Sequence, residues 1–499
     1  MTIKTLKNKS LFCFLIWSLY SCYITGQEAL PHTPNIIIFI ADDVSADDLG
    51  AYGNQVVKTP NIDALAGGGI RFNDAILTTS SCSPSRISIL TSRYPHNTGA
   101  AELHTQPVVD FESVASRLKT KGYYTGQAGK WHMGKLLRRG FDKIYANGRE
   151  NGDGGEAKWI PSLKERERDK PFFFWFASID AHRDWGENEF TGTHDPEDIE
   201  VPLTLVDDDT TRADLARYYD EIRRFDFYIG EVVKELKRQE VYENTVIIIM
   251  SDNGRPFPRD KTRMYDSGIK TPLIIHWPEY INRGIVSNSL VSSIDIAPTI
   301  LDICGVKSPE SFQGRSFKEL LKHPDRDFRT YAFAEHNWHD YEAHERMVRT
   351  KDHLYIRNFR PKLPNQGPLD IVKSPSFHAL AGAKEAGRLT SAQSDIFLFP
   401  RPDEELFLLK DDPLQTDNLL DHKPYKEKKS DVHNKLVLSQ LRRVLTEWME
   451  ETGDNVSEQL TKDWYTRDTG EKIYENAGKR GEMPGSGENA DHQNKKGAF

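Results

Sequence analysis

Three short apolar runs stand out along the chain: Asn35–Ile40, Pro171–Ile179 and Thr245–Met250. Runs of this length suit strands of a parallel sheet that is covered on both faces. Each ends on polar residues: Asp42-Asp43 beyond the first, Asp180 and His182 beyond the second, Ser251-Asp252-Asn253-Gly254 beyond the third. Open α/β sheets form their sites at the carboxyl ends of strands, so the three endings are expected to converge on one cleft. Leu215, Tyr218, Ile222, Phe225, Ile229, Val232 and Leu236 recur at spacings of three and four and predict an amphipathic helix packed on the sheet. Strands alternating with such helices predict a doubly wound α/β fold. After about residue 325 the pattern changes to short strand-like pieces, Thr330–Ala334, His353–Arg357 and Glu405–Leu409, then a helix over about Ser430–Glu450. That describes a second, smaller α+β unit.

The expected division is therefore a leader over 1–26, a large α/β domain over 27–325, the α+β unit over 326–465 and a tail over 466–499. The tail is rich in Gly, Asn, Lys and Glu with few apolar residues, and is expected to be disordered or loosely draped. Lys4, Lys7 and Lys9 before the apolar run Leu11–Tyr20 match a secretory signal, too short to span a bilayer comfortably. Export to the periplasm, the cell surface or the medium is expected. Leu19-Tyr20-Ser21-Cys22 also resembles a bacterial lipobox, in which Cys22 would carry a lipid anchor.

Composition narrows the function. The 499 residues, 37% hydrophobic and 28% charged, suit a globular chain with one large domain and a smaller one. A net charge of -9 argues against nucleic-acid binding, yet a few focused cations can still hold an anionic substrate. Of four cysteines, Cys13 and Cys22 fall in the leader, so no disulfide framework is expected. Cys304, after Ile300-Leu301-Asp302-Ile303, reads as a small buried hydrophobe. Cys82 needs another explanation, as surface chemistry rather than core packing.

Cys82 opens Cys82-Ser83-Pro84-Ser85-Arg86, followed by Leu90-Thr91-Ser92-Arg93 and Pro95. This stretch resembles the signature of the type I sulfatases, members of the alkaline-phosphatase-like superfamily. The resemblance implies a doubly wound α/β/α sandwich with a smaller C-terminal α+β subdomain. It also implies that a formylglycine-generating enzyme converts Cys82 to formylglycine (3-oxoalanine). An aldehyde hydrate offers two geminal hydroxyls, one to attack sulfur and one to expel the sulfate, and so divides one hard displacement into two easier steps. Arg86 would hold hydrate and sulfate oxygens. Asp42, Asp43, Asp252 and Asn253, each pair at a strand end, are assigned by the resemblance to one divalent cation, shared with the oxygen at position 82. Oxygen ligands point to calcium before magnesium.

Gly129-Lys130-Trp131-His132-Met133-Gly134 resembles the family's next motif. By that likeness Lys130 binds a sulfate oxygen and His132 takes the proton of the second hydroxyl. His182, in Asp180-Ala181-His182-Arg183, would face the leaving-group oxygen, and Lys261, after Pro256-Phe257-Pro258-Arg259-Asp260, would lie against the sulfate. Thr59-Pro60-Asn61-Ile62-Asp63, Asp411-Asp412-Pro413 and Asn418-Leu419 extend the resemblance over most of residues 35–450.

Asp252-Asn253-Gly254 with Pro256-Phe257-Pro258 looks closest to the heparan N-sulfatase branch, although Lys261 stands where that branch typically has arginine. Bacterial relatives of the branch act on algal polysaccharides such as ulvan. The expected substrate is thus an O-sulfate on a polysaccharide fragment, algal or glycosaminoglycan, with His104, Arg183, His336, Asn337, His339 and Arg346 as candidate sugar contacts. Rival readings are an N-sulfoglucosamine sulfohydrolase, a phosphonate or phosphate ester hydrolase of the same superfamily, and a decayed sulfatase that binds sugar without turnover.

Overall fold

The computed structural model describes residues 33–281, 284–421, 429–485 and 490–497; the expected leader 1–26, with Cys13 and Cys22, lies outside them. Eight strands form the main sheet. From edge to edge they are Lys143–Tyr145, Tyr124–Gly129, Phe172–Ala177, Asn35–Ala41, Thr245–Ser251, Leu273–His276, Ile70–Phe72 and Ile285–Ser287. All run parallel except Leu273–His276.

The all-apolar runs fill both faces of this sheet, as strand alternation requires. Ile36, Ile38 and Ile40 pack with Leu118, Ile296 and Ile300 on one side. Ile37 and Phe39 pack with Leu215, Ile222, Phe225 and Ile229 on the other. The latter four belong to a helix that runs Asp209–Arg238, longer than its apolar stripe, and starts where the Asp208 carboxylate accepts from Thr211 N–H at 2.8 Å.

Tyr124–Gly129 has no apolar run to announce it. Within its sequence, Tyr-Thr-Gly-Gln-Ala-Gly, the neighbouring strand accounts for one glycine: a Cβ on Gly126 would lie 2.2 Å from the ring of Phe174. Register then sets four strand ends abreast, because Gly129 pairs with Ala177, Ile40 with Ala177 and Ala41 with Ser251.

A second sheet is antiparallel, Ala332–His339, Tyr341–Arg349, His353–Asn358 and Glu404–Leu408 in that order. Helix Lys429–Thr452 covers it, with the Trp448 ring stacked on Phe333 at 5.0 Å. The residues between its last two strands return to the large sheet, where Ile371, Val372, Phe377 and Leu380 join the core under helix Asp209–Arg238.

The described parts of the tail are not loosely draped. The Arg480 guanidinium lies over Trp338 and Trp464, 4.2 and 4.5 Å from their centroids, and pairs with Glu102 at 2.9 Å. Farther on, buried Arg93 donates to Asp491 O, Gln493 O and Asn494 Oδ1 at 3.0, 2.8 and 2.8 Å. Tail backbone held by buried Arg93, and Arg480 stacked on two tryptophans, replace the apolar contacts whose scarcity suggested disorder.

Candidate active site

The four aligned strand ends deliver Lys130, Asp180 to His182, Asp42-Asp43 and Asp252-Asn253 to one place. Helix Cys82–Thr91 points its N-terminus into it. Four residues is about one helical turn, so Cys82 and Arg86 share a face. Cys82 is only 2% exposed and touches Leu103 and Trp338, which corrects its expected place at the surface. Burial pushes its thiol well above the usual range. An unmodified Cys82 therefore stays a thiol, the poorer nucleophile.

Carboxylates and cations alternate around it. Arg86 Nε meets Asp252 Oδ2 at 2.6 Å and its Nη2 lies 3.6 Å from Asp42 Oδ1. Lys130 Nζ contacts Asp42 Oδ2, and Lys261 Nζ meets Asp43 Oδ2 at 2.7 Å. Burial works against ionising Asp42, yet Lys130 and Arg86 hold it below the usual carboxylate range. Asn253 Nδ2 donates to Asp43 Oδ1 at 2.5 Å, and Asp43 N–H to Asp252 Oδ1 at 3.3 Å.

The donor set suits a hard divalent cation. Ligand atoms of Asp42, Asp43 and Cys82 lie within 4.8 Å of one another. Asp42 Oδ1 and Asn253 Oδ1 are buried without a hydrogen-bond partner among the described residues, a costly state that a bound cation would relieve. Three carboxylates are matched by Arg86, Lys130 and Lys261, so a dication would leave the centre positive and ready for an anion.

His132 and His104 meet at 2.7 Å, Nε2 to Nδ1. Burial, with Lys130 and His104 beside it, pulls His132 down to about 2, so its ring is neutral. His182 is 31% exposed; its Nδ1–H donates to the Arg183 carbonyl, which turns Nε2 to the cleft.

The six candidate sugar contacts divide. His104 stands at the opening, and His339 lies behind Cys82 with Nδ1 2.9 Å from Ser81 Oγ. Arg183 does not face the cleft. Its Nη1 and Nη2 grip Asp214 at 2.8 Å each, Nε donates to Pro256 O, and its plane lies over Trp185 and Phe257, so it anchors the loop bearing His182. Asn337 donates to Ala101 O and Glu335, and Arg346 clasps Asp454 at 2.5 and 2.8 Å. His336 is buried, near Glu345 and Arg263, and burial takes it down to about 4. These placements correct the reading of Arg183, His336, Asn337 and Arg346 as loop contacts.

Arg346→Ala is accordingly expected to lower stability by about 3–5 kcal/mol, because it strands the Asp454 carboxylate in the interior. Urea unfolding measures this; an unchanged midpoint with a raised KM would return Arg346 to the substrate.

Asp370 escaped the sequence reading. Its Oδ2 lies 3.0 Å from Lys261 Nζ and 3.9 Å from His182 Nε2. It belongs to no motif, and the preceding Pro368 signals only a turn.

Comparison with known proteins agrees with this geometry. The family model described as Sulfatase matches residues 34–306, and that described as N-sulphoglucosamine sulphohydrolase, C-terminal, matches residues 257–376. An ulvan-active sulfatase of Formosa agariphila is 28% identical over 93% of this chain and 85% of its own. The human N-sulphoglucosamine sulphohydrolase is 31% identical over 84% of this chain and 90% of its own. A solved structure holding its substrate D-glucosamine-2-N,6-O-disulfate superposes with a TM-score of 0.65 at 20% identity, covering 84% of this chain and 98% of that one. It shares the fold, a large α/β sheet with a C-terminal subdomain.

Proposed function

The chain belongs to the sulfatase family and is a sulfuric ester hydrolase, and from that premise we propose that it removes O-sulfate from a carbohydrate, with Cys82 converted to formylglycine and calcium as its metal. The carrying observation is the convergence of Cys82 and Arg86 with Asp42, Asp43, Asp252 and Asn253 at the aligned strand ends. A sugar substrate, a polysaccharide-derived oligosaccharide of algal or glycosaminoglycan type, is supported by relatives named for ulvan and N-sulphoglucosamine. Sulfamidase activity is the second reading, favoured by the C-terminal family match.

Asp42, Asp43, Asp252, Asn253 and the oxygen at position 82 would hold the cation, which when bound draws charge from the sulfate. Arg86 and Lys130 supply the donors to sulfate and hydrate oxygens, and Lys261 adds a buried positive charge beside them. His132, neutral and next to Lys130, accepts the proton of the second hydroxyl as sulfate departs. As an imidazolium whose Nδ1–H is held by the Arg183 carbonyl, His182 gives its Nε2 proton to the bridging oxygen and is left neutral.

The test is His182→Ala. A sugar alkoxide leaves poorly without a proton, whereas a nitrophenolate needs little help. Turnover of a sulfated sugar should fall by about 100- to 10,000-fold and that of an aryl sulfate far less. Equal losses on both would make His182 a binder and move the acid to Lys261. Parallel assays on an N-sulfated sugar and a phosphonate monoester decide between the readings.

Export is inferred from the basic and apolar leader, and lipid attachment at Cys22 from the lipobox-like Leu19-Tyr20-Ser21-Cys22. Mature active protein that retains Met1 would refute it.

A further inference from the structure

Asp370 has no part in the chemistry assigned above, yet the fold takes trouble to place it. The segment between the last two strands of the small sheet carries it back across the large domain on Leu369–Val372, whose first N–H donates to Asp340 Oδ2 at 3.0 Å. Ile371 and Val372, just behind it, are buried in the core under helix Asp209–Arg238. Its side chain keeps 18% of its surface open, whereas Lys261 beside it is fully enclosed.

A carboxylate is an unexpected neighbour for a cleft that admits an anion. It offsets part of the Lys261 charge and repels sulfate. Lys261 does not require it as a partner, since Asp43 already stands at 2.7 Å. An ionised carboxylate offers only acceptor sites, about four. Ile371 N–H takes Oδ1 at 3.0 Å and Lys261 takes Oδ2 at 3.0 Å, which leaves capacity turned to the cleft. His182 Nε2, assigned to the bridging oxygen, lies 3.9 Å away, a spacing that neighbouring oxygens on one sugar ring can bridge.

We propose that Asp370 is a specificity-determining residue that accepts a hydrogen bond from the ring hydroxyl next to the sulfated carbon. This rests on the sulfated-sugar reading above and deepens it. The ring that carries the sulfate has a free hydroxyl beside it, and a second sulfate or a carboxylate in that place is turned away by like charge.

The experiment compares monosulfated methyl hexopyranosides with counterparts lacking a hydroxyl next to the sulfated carbon, for the wild type, Asp370→Ala and Asp370→Asn. The wild type should prefer the hydroxylated sugar by about 10- to 100-fold in kcat/KM, the scale of a hydrogen bond to a charged group. In Asp370→Ala that preference should collapse, and in Asp370→Asn, whose amide oxygen still accepts, part of it should survive. Aryl sulfate turnover at any measurable rate shows that a variant has folded and matured, and the isosteric Asp370→Asn carries the test if the alanine variant does not. An undiminished preference in both variants would overturn the proposal and leave Asp370 a positioning residue for Lys261. Equal wild-type rates on the paired sugars refute this inference alone, whereas no sulfate release from any sugar refutes the parent reading with it.

Discussion

Cys82→Ala is expected to lower turnover on the order of a million-fold, the scale on which loss of a nucleophile weighs in other hydrolases, while the fold survives. Cys82 is the first residue of its helix, and alanine has the higher helix propensity. The small cluster it forms with Leu103 and Trp338 loses one sulfur atom, so the stability change should stay near 1 kcal/mol. Circular dichroism and the unfolding midpoint check the fold, and a sulfated sugar and an aryl sulfate check turnover. The wild-type peptide spanning Cys82 should carry the mass of formylglycine, lighter than that of cysteine. Full activity in protein whose Cys82 remains a thiol would remove the proposed nucleophile, and the elevated thiol makes that result unexpected.

Chelation should remove activity by about a thousand-fold or more, since a Lewis acid contributes several kcal/mol of transition-state stabilisation, and calcium should restore it better than magnesium. The second readout is stability. Asp42, Asp43 and Asp252 are fully buried, and a ligand bound only by the folded state adds about 2.7 kcal/mol at a hundredfold excess over Kd. Calcium should therefore raise the unfolding temperature of the wild type and leave Asp252→Ala unmoved. In that variant Arg86 loses its 2.6 Å partner, so some intrinsic destabilisation is also expected. Activity persisting in metal-stripped protein would contradict the site.

Much of the frame was legible because its signals are local. The three apolar runs lie within two residues of the observed strands, and the stripe from Leu215 to Leu236 lies within one continuous helix. Polar residues after buried strands pointed to the cleft only taken together, since Asp-Asp or Asp-Asn at a single strand end is as well explained by a turn or a helix cap. Tyr124–Gly129 stayed hidden because Gly126 makes room for the ring of Phe174 and Gly129 for Ala177 O, contacts made across strands. Arg183 and Arg346 looked available because their carboxylates, Asp214 and Asp454, lie 31 and 108 positions away. Asp370 was invisible for the same reason: its meaning comes from Lys261, 109 positions earlier. A side chain's partners decide whether a charge is a tool or a fastener, and pairing at that range leaves no trace in spacing.

The clasp on Arg93 bears on the order of events during synthesis. Arg93 follows the Cys82 helix by two residues, yet its carbonyl acceptor at Gln493 is 400 positions downstream. At about 5–20 residues per second, the ribosome needs roughly 20–80 s to supply it. Until then the guanidinium can draw on Asn97 O, 2.9 Å away, and, once it is made, Ser311 O, 2.5 Å away, but lacks its acceptors at 491–494. Six of the eight strands of the large sheet and the whole of the small sheet also arrive in that time. The cysteine segment is thus synthesised long before residues 491–494, which complete the hydrogen bonds of the arginine beside it.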